Sequence, residues 1–394
     1  MPFASPARTV NKRLLSSIAI AVLGMMLLLS FAAVPSTLAY SYPSTAFGVG
    51  NSPNAVAINP ATDKIYVVEN ADSNLSVVDG SNNAGVANVT VGTNPVAVAV
   101  NPSTGNVYVA NQDDNNVAVI DGSNKFVSNI STGTNPIAVA VNSANNKVYV
   151  VNTGDNNVAV IDGATNSVVA NISVGNSPDA IAINNKTNTV YVVNGADNNV
   201  AVVDGANNVV TANVSVGDSP QAIALNPNTG LAYVVNNVDN TVSVLQASSD
   251  TVLLNITVGV APSAVAVDTA RNLVYVANSG DGTVSVIDGS RNAVVANVTV
   301  GNTPSAVAVN SANGKVYVAN SGDNTVTVIT PSTGNPSTTS TTPTTQTTPT
   351  GQTSQTGGGG GIPEFPMQIG VTLLVTVAMV ATFMLARRAN QQRQ

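Results

Sequence analysis

Seven tyrosines mark out the middle of this chain at an almost fixed interval. Tyr66, Tyr108, Tyr149, Tyr191, Tyr233, Tyr275 and Tyr317 are separated by 42, 41, 42, 42, 42 and 42 residues. Pro53, Pro95, Pro136, Pro178, Pro220, Pro262 and Pro304 keep the same interval, each three residues after a glycine, as in Gly92-x-x-Pro95. A period of this size marks a repeat architecture, with propeller blades a leading candidate. One unit reads as four strands: Val294–Val300, Ser305–Asn310, Lys315–Asn320 and Thr325–Thr330. All are Val-rich with period-two alternation, and Gly, Asn, Asp and Pro punctuate them. The loops are too short for anything but antiparallel hairpins. Four such strands per repeat make a blade.

The strands of a blade are labelled a to d, from the inside outwards. Seven a–b–c sets run from Ala55 to Thr330, but only six d strands follow, the last ending at Val300. The missing one stands before the first repeat, where Thr45-Ala46-Phe47-Gly48-Val49-Gly50 leads into the same Val-Gly-x-x-Pro link. The expectation is an all-β, seven-bladed β-propeller over 44–330, closed by an N-terminal outer strand. Closure removes the edges an open array exposes. A β-solenoid is the rival, but it needs no strand borrowed from the far end.

Both ends carry targeting patterns. Arg8, Lys12 and Arg13 precede an apolar run from Leu14 to Val34, and Thr37-Leu38-Ala39 fits a small-x-Ala cleavage site. Residues 1–39 read as a signal peptide; an uncleaved anchor is the alternative. Residues 331–361 are Thr, Ser, Pro, Gln and Gly, a stalk without core-forming residues. Its Thr-rich half suits an O-glycosylated spacer. An apolar stretch over 367–386 reads as a transmembrane helix, and Arg387, Arg388 and Arg393 make 387–394 a basic cytoplasmic tail. The bulk of the chain is then outside, at the cell surface.

Two resemblances follow. Val316-Tyr317-Val318-Ala319-Asn320, Asn324-Thr325-Val326, the Val-Ile-Asp-Gly turns and the Val-Gly-x-x-Pro links resemble the YVTN β-propeller repeat family from Thr45 to Thr330. That resemblance implies an archaeal or bacterial cell-surface protein, surface-layer components included, and no single activity. The pattern departs at Glu69, which replaces the Asn found three places after the other tyrosines. It departs again at Gln246-Ala247 and Thr330-Pro331, where Asp-Gly fails. Ile362-Pro363-Glu364-Phe365-Pro366, with the apolar stretch and basic cluster behind it, resembles the PEF-type C-terminal sorting signals of archaeal surface proteins. This implies re-anchoring by a sortase-like enzyme, with a plain membrane anchor as the alternative; 362–366 is the motif itself.

The chain has no Cys, His or Trp, and 8% of it is charged. Disulfides, thiolate metal sites and Cys nucleophiles are excluded, as are the commonest general base and metal ligand. No cofactor is expected. Propeller topology puts the d–a and b–c loops on one face, the top, and the a–b and c–d loops on the bottom. All seven basic residues of the propeller then fall on the bottom, which is nearly neutral, while the top carries eleven acids and no base. Such a one-sided field attracts cations and basic partners and disfavours nucleic acid. Asp72, Asp114, Asp155, Asp197, Asp239, Asp281 and Asp323 recur at one b–c turn position and form a candidate top-face binding ring. Turn chemistry accounts for them, and weakly held calcium is the sharper alternative. Asn88, Asn129, Asn171, Asn213, Asn255 and Asn297 each begin an Asn-Val/Ile-Ser/Thr sequon in strand d. They read either as a belt of N-glycans or as plain polar alternation at an edge. The tyrosines read as interblade packing with a tethered hydroxyl.

No nucleophile–base pair or phosphate loop stands out, and the repeats look nearly uniform where an active site needs asymmetry. The expectation is therefore a non-enzymatic cell-surface structural or adhesive module. It would bind other envelope proteins or glycans on a membrane-anchored stalk. The alternatives are capture of a small ligand, glycan or metal ion, and a hydrolase or dehydrogenase using the central channel.

Overall fold

The computed structural model describes residues 40–333. The segments expected to be a signal peptide (1–39), a stalk, a PEF-like motif (362–366), a transmembrane helix (367–386) and a basic tail (387–394) lie outside the described residues, apart from the first residues of the stalk. Among the described residues, no helix is long and apolar enough to cross a membrane.

Seven four-stranded antiparallel sheets form the blades. Their innermost strands are Pro53–Asn59, Pro95–Val100, Pro136–Asn142, Pro178–Asn184, Pro220–Asn226, Pro262–Asp268 and Pro304–Val309. Each lies beside the next, and the last lies beside the first, so the ring closes. The strands expected for one unit appear within a residue of their expected bounds, at Ala293–Thr299, Pro304–Val309, Val316–Asn320 and Thr325–Ile329. The closing strand, Ser44–Gly48, pairs antiparallel with Thr325–Ile329 and completes blade 7, with Ser44 opposite Ile329 and Gly48 opposite Thr325. A short clasp that sequence pattern did not suggest lies outside it: Tyr40 and Ser41 pair with Thr333 and Ser332.

The core is divided into seven pieces, and each spans two neighbouring blades. In one, Tyr149, Val151, Val158 and Val160 of blade 3 pack on Val190, Val192, Ala201 and Val203 of blade 4. The piece that seals the ring joins Tyr317, Val326 and Val328 of blade 7 to Ile65, Val67 and Val78 of blade 1. Strand b is buried on both faces, so it reads as an unbroken apolar run. All seven repeat tyrosines are at most 2% exposed. The tether expected for their hydroxyls holds at Tyr317, which donates to the Gly80 carbonyl at 3.4 Å. The hydroxyls of Tyr108, Tyr149, Tyr233 and Tyr275 are buried without a partner among the described residues. For these four, packing of the ring is the contribution.

The abundance of Asn follows from the turns. Nearly every loop places one residue at positive φ, and Asn fills most of these sites, among them Asn94, Asn135, Asn156, Asn166, Asn198 and Asn208. Asn is the non-glycine residue that tolerates this region best. Thr303, at φ 51°, is a β-branched exception in the d–a loop entering blade 7. Its counterparts in blades 2 and 3 are Asn94 and Asn135, also left-handed. Thr303→Asn is therefore expected to stabilise the propeller by about 0.5–1 kcal/mol, read as a higher denaturation midpoint at unchanged m-value.

Candidate functional site

The d–a links and b–c turns share one face, as expected, and hydrogen bonds show how they are joined. In blade 4 the link Gly175-Asn176-Ser177 offers three backbone N–H groups. Gly175 N donates to Asn194 Oδ1 at 3.2 Å, Asn176 N to Asp197 Oδ2 at 2.8 Å, and Ser177 N to Asn156 Oδ1 of blade 3 at 2.9 Å. A Cβ on Gly175 would lie 2.5 Å from the Asp197 carboxylate and 2.6 Å from the Asn194 amide, so any side chain there would push both partners off the link. The bond to the aspartate recurs all round the ring. Asp72, Asp114, Asp155, Asp197, Asp239, Asp281 and Asp323 each accept the N–H of the residue after the link glycine, at 2.6–2.8 Å. The candidate binding ring thus consists of carboxylates that clamp loops, a use that turn chemistry alone had not suggested. These bonds hold Asp72 and Asp197 below the usual carboxylate range. Their contribution is complete above the ordinary Asp pKa and is lost only as pH falls through the lowered value. Among the described residues, no three acids converge to hold a metal ion.

The central channel opens on this face through a cavity of about 480 Å³, within the ~300–1,000 Å³ of small-molecule sites. Here the repeats are not uniform, which corrects the sequence reading. The residue after each repeat proline, on the innermost strand, is Asn54, Val96, Ile137, Asp179, Gln221, Ser263 and Ser305 in turn. Five of these line the cavity besides Ile137: Asn54, Asp179, Gln221, Ser263 and Ser305. The hydroxyls of Ser263 and Ser305 are committed, donating to Pro304 O and Pro53 O at 2.8 Å. The Asn54 and Gln221 amides are uncommitted among the described residues.

Asp179 is the single acid at this ring position. It is half-buried, has no hydrogen-bond or ion-pair partner among the described residues, and is pushed up to about 6 by desolvation. The three ion pairs among the described residues all lie on the bottom face: Lys147–Asp162, Arg271–Asp268 and Arg291–Asp288. Beside Asp179 stands Gly195, the residue after strand b. The corresponding positions hold Asn70, Gln112, Thr153, Asn237, Ser279 and Ser321. A Cβ on Gly195 would lie 1.9 Å from Asp179 Oδ2. The one acid and the one missing side chain are paired in the same blade, and the second makes room for the first. The signal was present in the sequence as a break in two periodic columns, but a reading focused on what repeats passes over what does not. Gly195→Ala is expected to leave the backbone in place, since six repeats carry a side chain there, and to displace the carboxylate. A shifted titration of Asp179, followed by NMR of its side-chain carboxyl carbon, would report that displacement.

Residues 204–300 match the family described as "Lactonase, 7-bladed beta-propeller". The match takes in about a quarter of the chain, from the end of blade 4 through blade 6. No curated protein matches the chain. Among solved structures, the chain is similar to the hydrazine synthase of Kuenenia stuttgartiensis at 20% identity, with a TM-score of 0.67. That likeness covers 73% of this chain and 98% of the other, and at such identity it speaks for the fold. The expectation of a non-enzymatic structural or adhesive module is corrected by these findings: the family that matches is named for an enzyme. The channel mouth also has the asymmetry whose apparent absence had supported that expectation.

Proposed function

We propose that the top channel mouth hydrolyses a small uncharged ester or lactone, with Asp179 as general base. The observation that carries this reading is the solitary, desolvated carboxylate in a cavity of suitable size, with uncommitted amides around it. The partial lactonase match supports the reaction class. A carboxylate with a pKa near 6 is ionised at neutral pH yet remains a usable base. Asp179 accepts a proton from water as the water oxygen bonds to the acyl carbon. The protonated Asp179 then returns that proton to the alkoxide as the acyl C–O bond breaks, leaving an alcohol and a carboxylic acid. Gln221, on the neighbouring innermost strand, supplies an N–H donor for the developing oxyanion, the role such groups play in acyl transfer, and Asn54 lines the same cavity.

Charge argues for the kind of substrate. The top face has eleven acids and no base, so a phosphorylated or carboxylated substrate is repelled. Turnover of neutral γ- and δ-lactones and aryl acetates, set against their phosphate- or carboxylate-bearing analogues, tests the reading. Hydrolysis of neutral substrates only is expected. Inertness towards all of them, or preference for the anionic set, would overturn it.

Export and anchoring are part of the same proposal, and their support comes from the sequence: the leader pattern over 1–39, the stalk, the PEF-like motif and the apolar stretch over 367–386. The YVTN-like repeats favour a cell-surface setting of the archaeal surface-protein kind. Tyr40 and Thr333 are paired, so the chain enters and leaves the propeller side by side.

A further inference from the structure

The six outer strands share a feature that the channel chemistry does not use. Asn88, Asn129, Asn171, Asn213, Asn255 and Asn297 are all exposed. So is the Ser or Thr two places on, and the Val or Ile between them is buried. Period-two alternation therefore presents both polar members of every sequon on one solvent-facing side. The amide orientation also suits modification. Asn88 and Asn297 receive hydrogen bonds on Oδ1, from Ser76 Oγ at 2.6 Å and Ser285 Oγ at 2.8 Å. None of the six Nδ2 atoms is engaged among the described residues.

Each of these strands carries a bulge just before its sequon, as at Val160/Ile161, where Val169 is left unpaired. In five blades the bulged residue is a large apolar side chain standing out in solvent: Val86, Val127, Val169, Leu253 and Val295, each about half exposed. The closing strand of blade 7 differs in every respect. It pairs without a bulge, has none of the large exposed apolar residues, and carries Ala46 and Gly48 where the others carry Asn and Ser or Thr. Duplication alone would copy the sequon and then let it drift. The neighbouring positions have drifted, to Thr211, Leu254 and Ser128, while the third sequon position changes only between Ser and Thr.

We propose that the propeller rim is a belt of six N-linked glycans, one on the outer strand of each of blades 1 to 6. In the modification, Nδ2 of Asn bonds to the anomeric carbon of an oligosaccharide activated as its lipid phosphate ester. The anomeric C–O bond breaks, the lipid phosphate leaves with the electron pair, and the amide loses one proton. The attached sugars lie over the unpaired edge and the apolar bulge beside it, the two features that otherwise invite edge-to-edge association. Asn185 and Asn74 begin two further sequons. Asn74 is the poorer acceptor, because Asn74 and Ser76 are half-buried where the six outer-strand pairs are exposed, and Ser76 is bonded to both Glu69 and Asn88.

The test is glycopeptide mass spectrometry of the full chain isolated from its own cell envelope. It would be digested with elastase and deglycosylated in ¹⁸O water to mark each occupied Asn. Modification at the six outer-strand positions, lost from the intact mass in a chain carrying Asn→Gln at all six, is the expected result. Recovery of those six peptides unmodified, or modification confined to Asn74 and Asn185, overturns the proposal. Neither outcome depends on whether the channel is catalytic.

Discussion

Asp179→Asn lowers kcat by about 10²–10⁴-fold on neutral lactones, the range a positioned general base contributes, and leaves KM within a few-fold. The wild-type rate should rise with pH through about 6, where Asp179 ionises, and the residual rate of the variant should lose that inflection. Stability should move the other way. The pKa of Asp179 is raised on folding, so the folded state holds this proton more tightly than the unfolded chain does. Its contribution to stability is therefore greatest at low pH and falls as pH rises from the ordinary Asp value to about 6. At pH 7 the neutral Asn escapes that penalty, and the variant should melt at the same temperature as the wild type or higher. An inactive variant that also melts much lower would assign Asp179 a structural role. One that keeps full activity would place the chemistry elsewhere. Gly195→Ala approaches the same carboxylate from the other side. It should lower kcat without moving the pH-independent part of the melt, because it displaces the base and removes nothing from the fold.

The fold was legible because a repeat states it seven times over. Blade number, strand order and closure by residues near Phe47 could be read from spacing and from one missing d strand. Closure is a counting argument that needs no contact geometry. The clasp at Tyr40–Ser41 was not legible, since two-residue strands carry no periodicity. The site was legible only in part. The aspartate ring was visible, but its use was not. That a carboxylate on a b–c turn reaches the backbone of a d–a link 21 residues earlier depends on the two loops meeting at one face, and only coordinates show the link N–H donating to Oδ2. Asp179 was counted among the acids of the top face and given no further role. Its significance comes from where it faces, into the channel, and from the absence of any partner, and neither property is written in residue type. Gly195 reads as an ordinary turn glycine until the space it leaves is seen to be filled by that carboxylate.

Deleting residues before Val49 should have the largest effect on stability of any change to the described propeller. The closing strand supplies five paired residues to the outer edge of blade 7, and Phe47 and Val49 pack against the core that joins blade 7 to blade 1. Phe47 is only partly buried, so its ring contributes less than the about 3–5 kcal/mol of a fully buried aromatic, but the strand's backbone pairing is lost with it, and a folded domain typically has only ~5–15 kcal/mol in total. The deletion also frees strand c of blade 7, Thr325–Ile329, as a new edge of exposed N–H and C=O groups. The shortened chain is expected to lose its single cooperative melt, or to melt far lower and associate through blade 7. A peptide of residues 40–49 added in excess should restore the transition, in proportion to its occupancy of that edge. Phe47→Ala should reproduce a fraction of the loss while leaving the backbone pairing in place, because its ring fills the slot that Val or Ile fills in the other six outer strands. A deletion that melted like the full chain would mean that the interblade cores of blades 1 to 6 hold the ring without closure, and the strand would be a cover for an edge already stable on its own.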